Sequence, residues 1–124
     1  MYVIPGKEAA DTLADRYVVI ELDAVRIKGT EEVTPIYTVL ETEKVFLKLE
    51  QIENAIKLHN EMREFYKAKN WTAAETAITW LKTQFNQELN SYYDIILDRI
   101  NEYKNQELPD DWQGIYEVEP GNIS

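Results

Sequence analysis

The chain has 124 residues, 44% apolar and 29% charged, so it can bury roughly two-thirds of its unfolded surface and is too apolar to stay disordered. Its 13 basic and 23 acidic side chains give a net charge of -10, which repels a nucleic-acid backbone or an anionic membrane surface. It has no cysteine, so disulfides and thiolate chemistry are excluded, and no apolar run approaches the ~20 residues of a membrane span.

Met1 to Ala10 lacks the basic and apolar regions of a signal peptide and enters the strand-like Tyr2-Val3-Ile4 at once, so a fragment of a larger domain is expected. Pro5-Gly6 then leads into a short helical run around Glu8 to Leu13, after which the pattern has a period of two. Val18, Ile20 and Leu22 share one strand face, whereas Val25 and Ile27 fall on the opposite parity. A β-bulge near Asp23 and Ala24 restores the register. A turn carrying Lys28-Gly29 connects to a return strand over Val33 to Leu40, with Pro35 near its start, where a missing amide donor does least harm.

From Glu43 the spacing becomes helical. Val45, Leu49, Ile52, Ile56, His59, Met62 and Tyr66 recur at steps of three and four, predicting one long amphipathic helix that stops near Lys69-Asn70. Thr72 and Glu75 have the spacing of a capping box for a second helix, with Ala74, Ala77, Ile78, Leu81 and Phe85 on its inner stripe. A third helix carries Leu89, Tyr92, Ile96, Ile100 and Tyr103 inward and is expected to end at Pro109. The tail from 109 to 124 has one further apolar run, Ile115 to Val118.

The candidate chemical residues are few. His59 is the only histidine and lies on the apolar stripe without a ligand partner at metal spacing, which reads as a packed side chain. Asp94 and Asp98 share a helix face but lie close to Arg99 and Lys104, which reads as a solvated surface. Trp71, Trp112, Tyr92, Tyr93 and Tyr103 read as packing between helices, because large rings contribute the most burial per residue. Trp80 lies off the inner stripe and is the candidate for a partner contact.

Glu21-Leu22-Asp23, Val25-Arg26-Ile27-Lys28-Gly29 and Pro35-Ile36-Tyr37, in that order, resemble the closing strands of the catalytic domain of class III nucleotide cyclases. Phe65-Tyr66, Trp71, Ala74 and then Leu108-Pro109, Asp111-Trp112 and Gly114-Ile115 are similar to the helical tail that follows this domain in many bacterial adenylate cyclases. The stretch from Tyr66 to Phe85 is also similar to a tetratricopeptide unit, although Lys69 stands where that repeat has its turn glycine and no closing proline follows Phe85.

The resemblance implies an α+β chain: residues 1–40 as an incomplete, small antiparallel sheet of about three strands and one short helix, 41–108 as a tetratricopeptide-like antiparallel bundle of three helices, and 109–124 as a tail. It implies a parent that converts ATP to cyclic AMP and pyrophosphate on two magnesium or manganese ions. The metal-binding aspartates, the purine-selecting residues and the Asn-x-x-x-Arg helix of the family have no counterpart here, so the segment itself is expected to be inactive and free of cofactors. Lys28 alone matches a position that contacts the triphosphate in some members, and the second lysine of the Lys-Gly-Lys motif is Thr30. The implied partners are an upstream catalytic domain and its dimer mate, with a cytoplasmic location; separately, one and a half helical units and an open sheet edge leave surface unburied, so self-association or a mobile N-terminal third is expected. A helical-repeat adaptor with a docking hairpin, and a small regulatory protein that binds nucleotide through Lys28, are the alternatives.

Overall fold

The computed structural model describes residues 3–14, 17–40 and 49–120. The chain is α+β and divides into two compact units, one from residues 1–41 with 114–124 and the other from 42–113. The expected strand residue Tyr2 and the expected helical start at Glu43 and Val45 lie outside the described residues.

The first unit contains β1 (Val3–Pro5), α1 (Lys7–Ala14), β2 (Val18–Ile27), β3 (Val33–Leu40) and β4 (Ile115–Val118). The strands form one sheet in the order β1-β3-β2-β4. Both pairs made by β3 are antiparallel, but β4 runs parallel to β2, with Val25 opposite Tyr116 and Ile27 opposite Val118. The expected three-stranded antiparallel sheet is therefore corrected to a mixed sheet of four strands. A parallel pair needs a long crossover, here the whole helical segment between β3 and β4. Hydrophobic alternation identifies such a strand without saying where it pairs.

The parity change along β2 has the expected cause. The pairing with β3 slips between Glu21, opposite Tyr37, and Asp23, opposite Ile36, one residue before the expected place. The slip leaves Leu22 as the extra residue and lets Ile20, Leu22 and Asp23 all be buried. Pro35 sits in β3 opposite Ala24, and its carbonyl accepts from the Gly6 amide at 2.9 Å. Helix α1 lies against β1, β2 and β3.

The second unit contains α2 (Leu49–Lys67), α3 (Trp71–Leu81), a single 3-10 turn (Phe85–Gln87) and α4 (Asn90–Tyr103). Most inward positions read from the spacing are buried: Ile52, Met62 and Tyr66 on α2, Ala74, Ala77, Ile78 and Leu81 on α3, and Tyr92, Ile96 and Ile100 on α4, whereas Ile56 and Tyr103 are half-buried. Three details differ from expectation. Helix α3 is capped by Asn70, whose Oδ1 accepts from the Ala73 amide at 3.4 Å, whereas Glu75 pairs with Lys104 at 2.7 Å instead of closing a capping box with Thr72. Phe85 is fully buried but lies beyond the end of α3, at φ 54°. Helix α4 ends at Tyr103, well before Pro109, and the chain after it folds back on the unit. Among the described residues the helical part is thus three α-helices completed by a 3-10 turn and a returning tail rather than a plain bundle.

Candidate functional site

The tip of the β2–β3 hairpin is formed by a tight turn. The Thr30 amide and hydroxyl both donate to the Ile27 carbonyl, at 3.0 and 2.8 Å, and Gly29 takes φ +92°, a region glycine enters without steric cost. Lys28 stands in this turn with its side chain 65% exposed. Its amide donates to the Val118 carbonyl at 2.8 Å, and its ammonium faces Glu119 at 3.4 Å. Two residues earlier on the same strand, Arg26 pairs with Glu117.

This two-rung ladder follows from register. Arg26 lies opposite Glu117 in the parallel pair, so side chains two residues on, Lys28 and Glu119, meet on the same face. The ladder is solvated, and its pairs contribute little to stability. Chemically it is a pair of cations, spaced two residues apart, whose counter-charges are supplied by the same chain. Glu31 and Glu32 follow immediately in the turn and are exposed, so an anion reaching Lys28 competes with carboxylates for it. Lys28 is legible in the sequence as a site residue, whereas Arg26 stands there only as part of a motif and Glu117 and Glu119 carry no assigned role; the signal for them is a basic pair at i, i+2 matched by an acidic pair at i, i+2.

The second chemical feature lies at the α2–α3 turn. Helix α2 ends in a Schellman arrangement: the Asn70 amide donates to the Phe65 carbonyl at 2.9 Å and the Lys69 amide to the Tyr66 carbonyl at 3.0 Å. Lys69 occupies the left-handed position of this motif at φ 63°, where glycine is usual. The lysine has a use for its side chain: its ammonium donates to the carbonyls of Leu108 and Pro109 at 3.2 and 3.1 Å. That contact holds the returning tail over the turn. Trp112 then enters a cluster with Tyr66, Trp71 and Tyr103, its ring centroid 5.0 to 5.8 Å from theirs. The four rings touch one another in every pairing, so they fill their own space and form a packed joint rather than a cage for a ligand.

The remaining candidates are placed as follows. His59 is buried, and its Nδ1 lies 2.9 Å from the Tyr93 hydroxyl, with the rings of Tyr92 and Tyr93 at 5.9 and 5.8 Å. Burial, and secondarily the neighbouring Tyr92, raises the Tyr93 phenol well above its ordinary value, so it keeps its proton at every physiological pH. Asp94 pairs with Lys82, and Asp98 is exposed. Trp80 stands off the buried stripe of α3 and is 64% exposed. Among the described residues no group of three or more His, Cys, Asp or Glu side chains could hold a metal ion, and no helix is long and apolar enough to cross a membrane. Comparison with protein families, with curated proteins and with solved structures found no match for this chain.

Proposed function

We propose that this chain is the C-terminal portion of a class III adenylate cyclase, with the sheet unit supplying the closing strands of the catalytic domain and the helical unit serving as its tetratricopeptide-like appendage. The observation that carries the reading is the antiparallel ribbon from Arg26 to Tyr37 with Lys28-Gly29 at its tip, followed along the chain by a helical pair sealed by the Leu108 to Trp112 segment. In this reading the segment makes no cyclic AMP by itself. Its helices position or regulate the catalytic domain and its dimer mate, on the cytoplasmic side. By the same resemblance, the aspartates that hold the magnesium or manganese ions of the parent reaction belong to strands upstream of Tyr2. Lys28 reaches a triphosphate only when Glu119 yields its ammonium.

The test is to join this chain behind a class III catalytic core truncated before its own closing hairpin. ATP turnover should return with the native sequence and fall at least ~10-fold with Lys28→Ala, the loss of about 1.4 kcal/mol of phosphate interaction. Absence of turnover in a folded fusion, together with no shift of the Gly29 amide at millimolar Mg-ATP, overturns the reading. A helical interaction adaptor is the second reading, and the exposed ring of Trp80 is the observation that favours it.

A further inference from the structure

Three consecutive residues of the tail occupy three donors of the hairpin tip. Glu117 pairs with the Arg26 guanidinium, the Val118 carbonyl accepts from the Lys28 amide at 2.8 Å, and Glu119 faces the Lys28 ammonium at 3.4 Å. The two cations stand two strand positions apart, about 7 Å along the chain. An acidic strand placed in this way does from within the chain what a bound anion would do. It is also lightly held. β4 is four residues long and lies at the edge of the sheet, it is joined to β2 by parallel pairing, which is slightly the weaker kind per residue, and none of its residues is fully buried. Both ion pairs are solvated and stabilise it little.

We propose that the Arg26 guanidinium, the Lys28 ammonium and the Lys28 amide form a site for a linear polyphosphate, free or carried by a nucleotide, and that residues 117–119 are its built-in competitor. The use of the site in a cyclase rests on the reading given above; the three donors and their competitor stand on the strand register alone. Charge sets the state of the site. With the tail docked, Glu31, Glu32, Glu117 and Glu119 surround two cations, and a chain of net charge -10 turns a single phosphate away. With Glu117 and Glu119 withdrawn, two carboxylates remain against two cations. A linear polyphosphate can win that exchange. It carries more charge than two carboxylates, each phosphoryl group offers several acceptor oxygens, and its length spans both cations. A free acidic peptide has no such advantage, because it offers only the groups that the tethered strand already presents at high effective concentration. The same tethering keeps the native site weak, with a dissociation constant of order ~1 mM. Since ligand and strand share the donors, each excludes the other, and binding must loosen β4.

Inorganic tripolyphosphate and Mg-ATP are titrated into the whole chain and into a variant with Glu117→Gln and Glu119→Gln, following the backbone amide shifts of Arg26, Lys28 and Gly29. The variant should bind tripolyphosphate at least ~10-fold more tightly than the native chain at low salt, with the gap closing as salt rises. Adding Arg26→Ala and Lys28→Ala to it should abolish binding. In the native chain, saturating tripolyphosphate should speed hydrogen exchange across residues 115 to 118, which binding to a lone surface lysine would leave unmoved. Tighter binding of Mg-ATP than of tripolyphosphate makes a nucleotide the source of the polyphosphate, and equal binding makes it the phosphate chain alone; both keep the site. Equal affinity of the native chain and the variant, or no binding by either, overturns it. So does ligand binding that leaves β4 exchange unchanged, or a free peptide of residues 115–120 that binds as tightly as tripolyphosphate. Unmasked binding by the variant without turnover in the catalytic fusion sinks the cyclase reading and keeps the site, whereas turnover indifferent to the two glutamine substitutions keeps that reading and removes the competitor.

Discussion

The two units are each completed by the same returning tail, but by different physics. In the helical unit the tail contributes a buried indole ringed by three aromatic neighbours and a backbone stretch held by a lysine ammonium. In the sheet unit it contributes four residues of parallel pairing and two solvated ion pairs. Burial of large rings is worth several kcal/mol per residue, whereas an exposed ion pair is worth less than about 1 kcal/mol. One end of the tail is a joint that resists opening; the other is an edge strand that exchanges more readily with solvent.

The largest effect should come from breaking the joint. Trp112→Ala removes the ring common to three contacts and should cost about 3–5 kcal/mol, seen as a lower urea midpoint together with lost amide protection around the α2–α3 turn. A cost below about 1 kcal/mol would mean that the cluster is not the core of that unit. The second effect is confined to alkaline pH. Because the folded Tyr93 holds its proton far above its ordinary value of 10.0, the contribution is fully present below pH 10. Above it the unfolded chain releases a proton that the native state keeps. Stability should then fall by about 1.4 kcal/mol per pH unit from this group alone, and Tyr93→Phe should flatten the urea midpoint against pH by that slope. An unchanged slope would place Tyr93 in contact with solvent. The smallest effect belongs to the sheet. Glu117→Gln with Glu119→Gln should cost no more than about 1 kcal/mol in total and should raise exchange of the Lys28 amide, which donates to Val118, by only a few-fold. A loss above about 2 kcal/mol would show that the ladder, and not backbone pairing, holds β4.

Much of this division can be read from local pattern, and what cannot follows a rule. The bulge in β2 is visible because a change of parity is a local event between Leu22 and Val25. The buried stripes of α2 and α4 are visible because a spacing of three and four reports one helix face. Pairing of β4 is not visible, since residue 115 meets residue 24 across the intervening chain and alternation carries no address. The cap of α3 is misread because Asn70 and Thr72 both have capping side chains two residues apart, and the Asn70 oxygen takes the role. Phe85 continues the helical spacing, but its positive φ removes it from the helix while burial keeps its ring inside. At the candidate site, Lys28 and Trp80 are legible as single residues. The carboxylate facing Lys28 is not, because it arrives with the tail strand.

Lys69 imposes an asymmetry on how this protein can vary. Its ammonium recognises the main-chain oxygens of Leu108 and Pro109, which any amino acid at those two places would provide, so the anchored segment is free to drift in side-chain identity at the points of attachment. The anchoring position has no such freedom. A glycine there satisfies the local geometry and loses the distant tether, and a neutral long side chain bears the left-handed backbone without recompense.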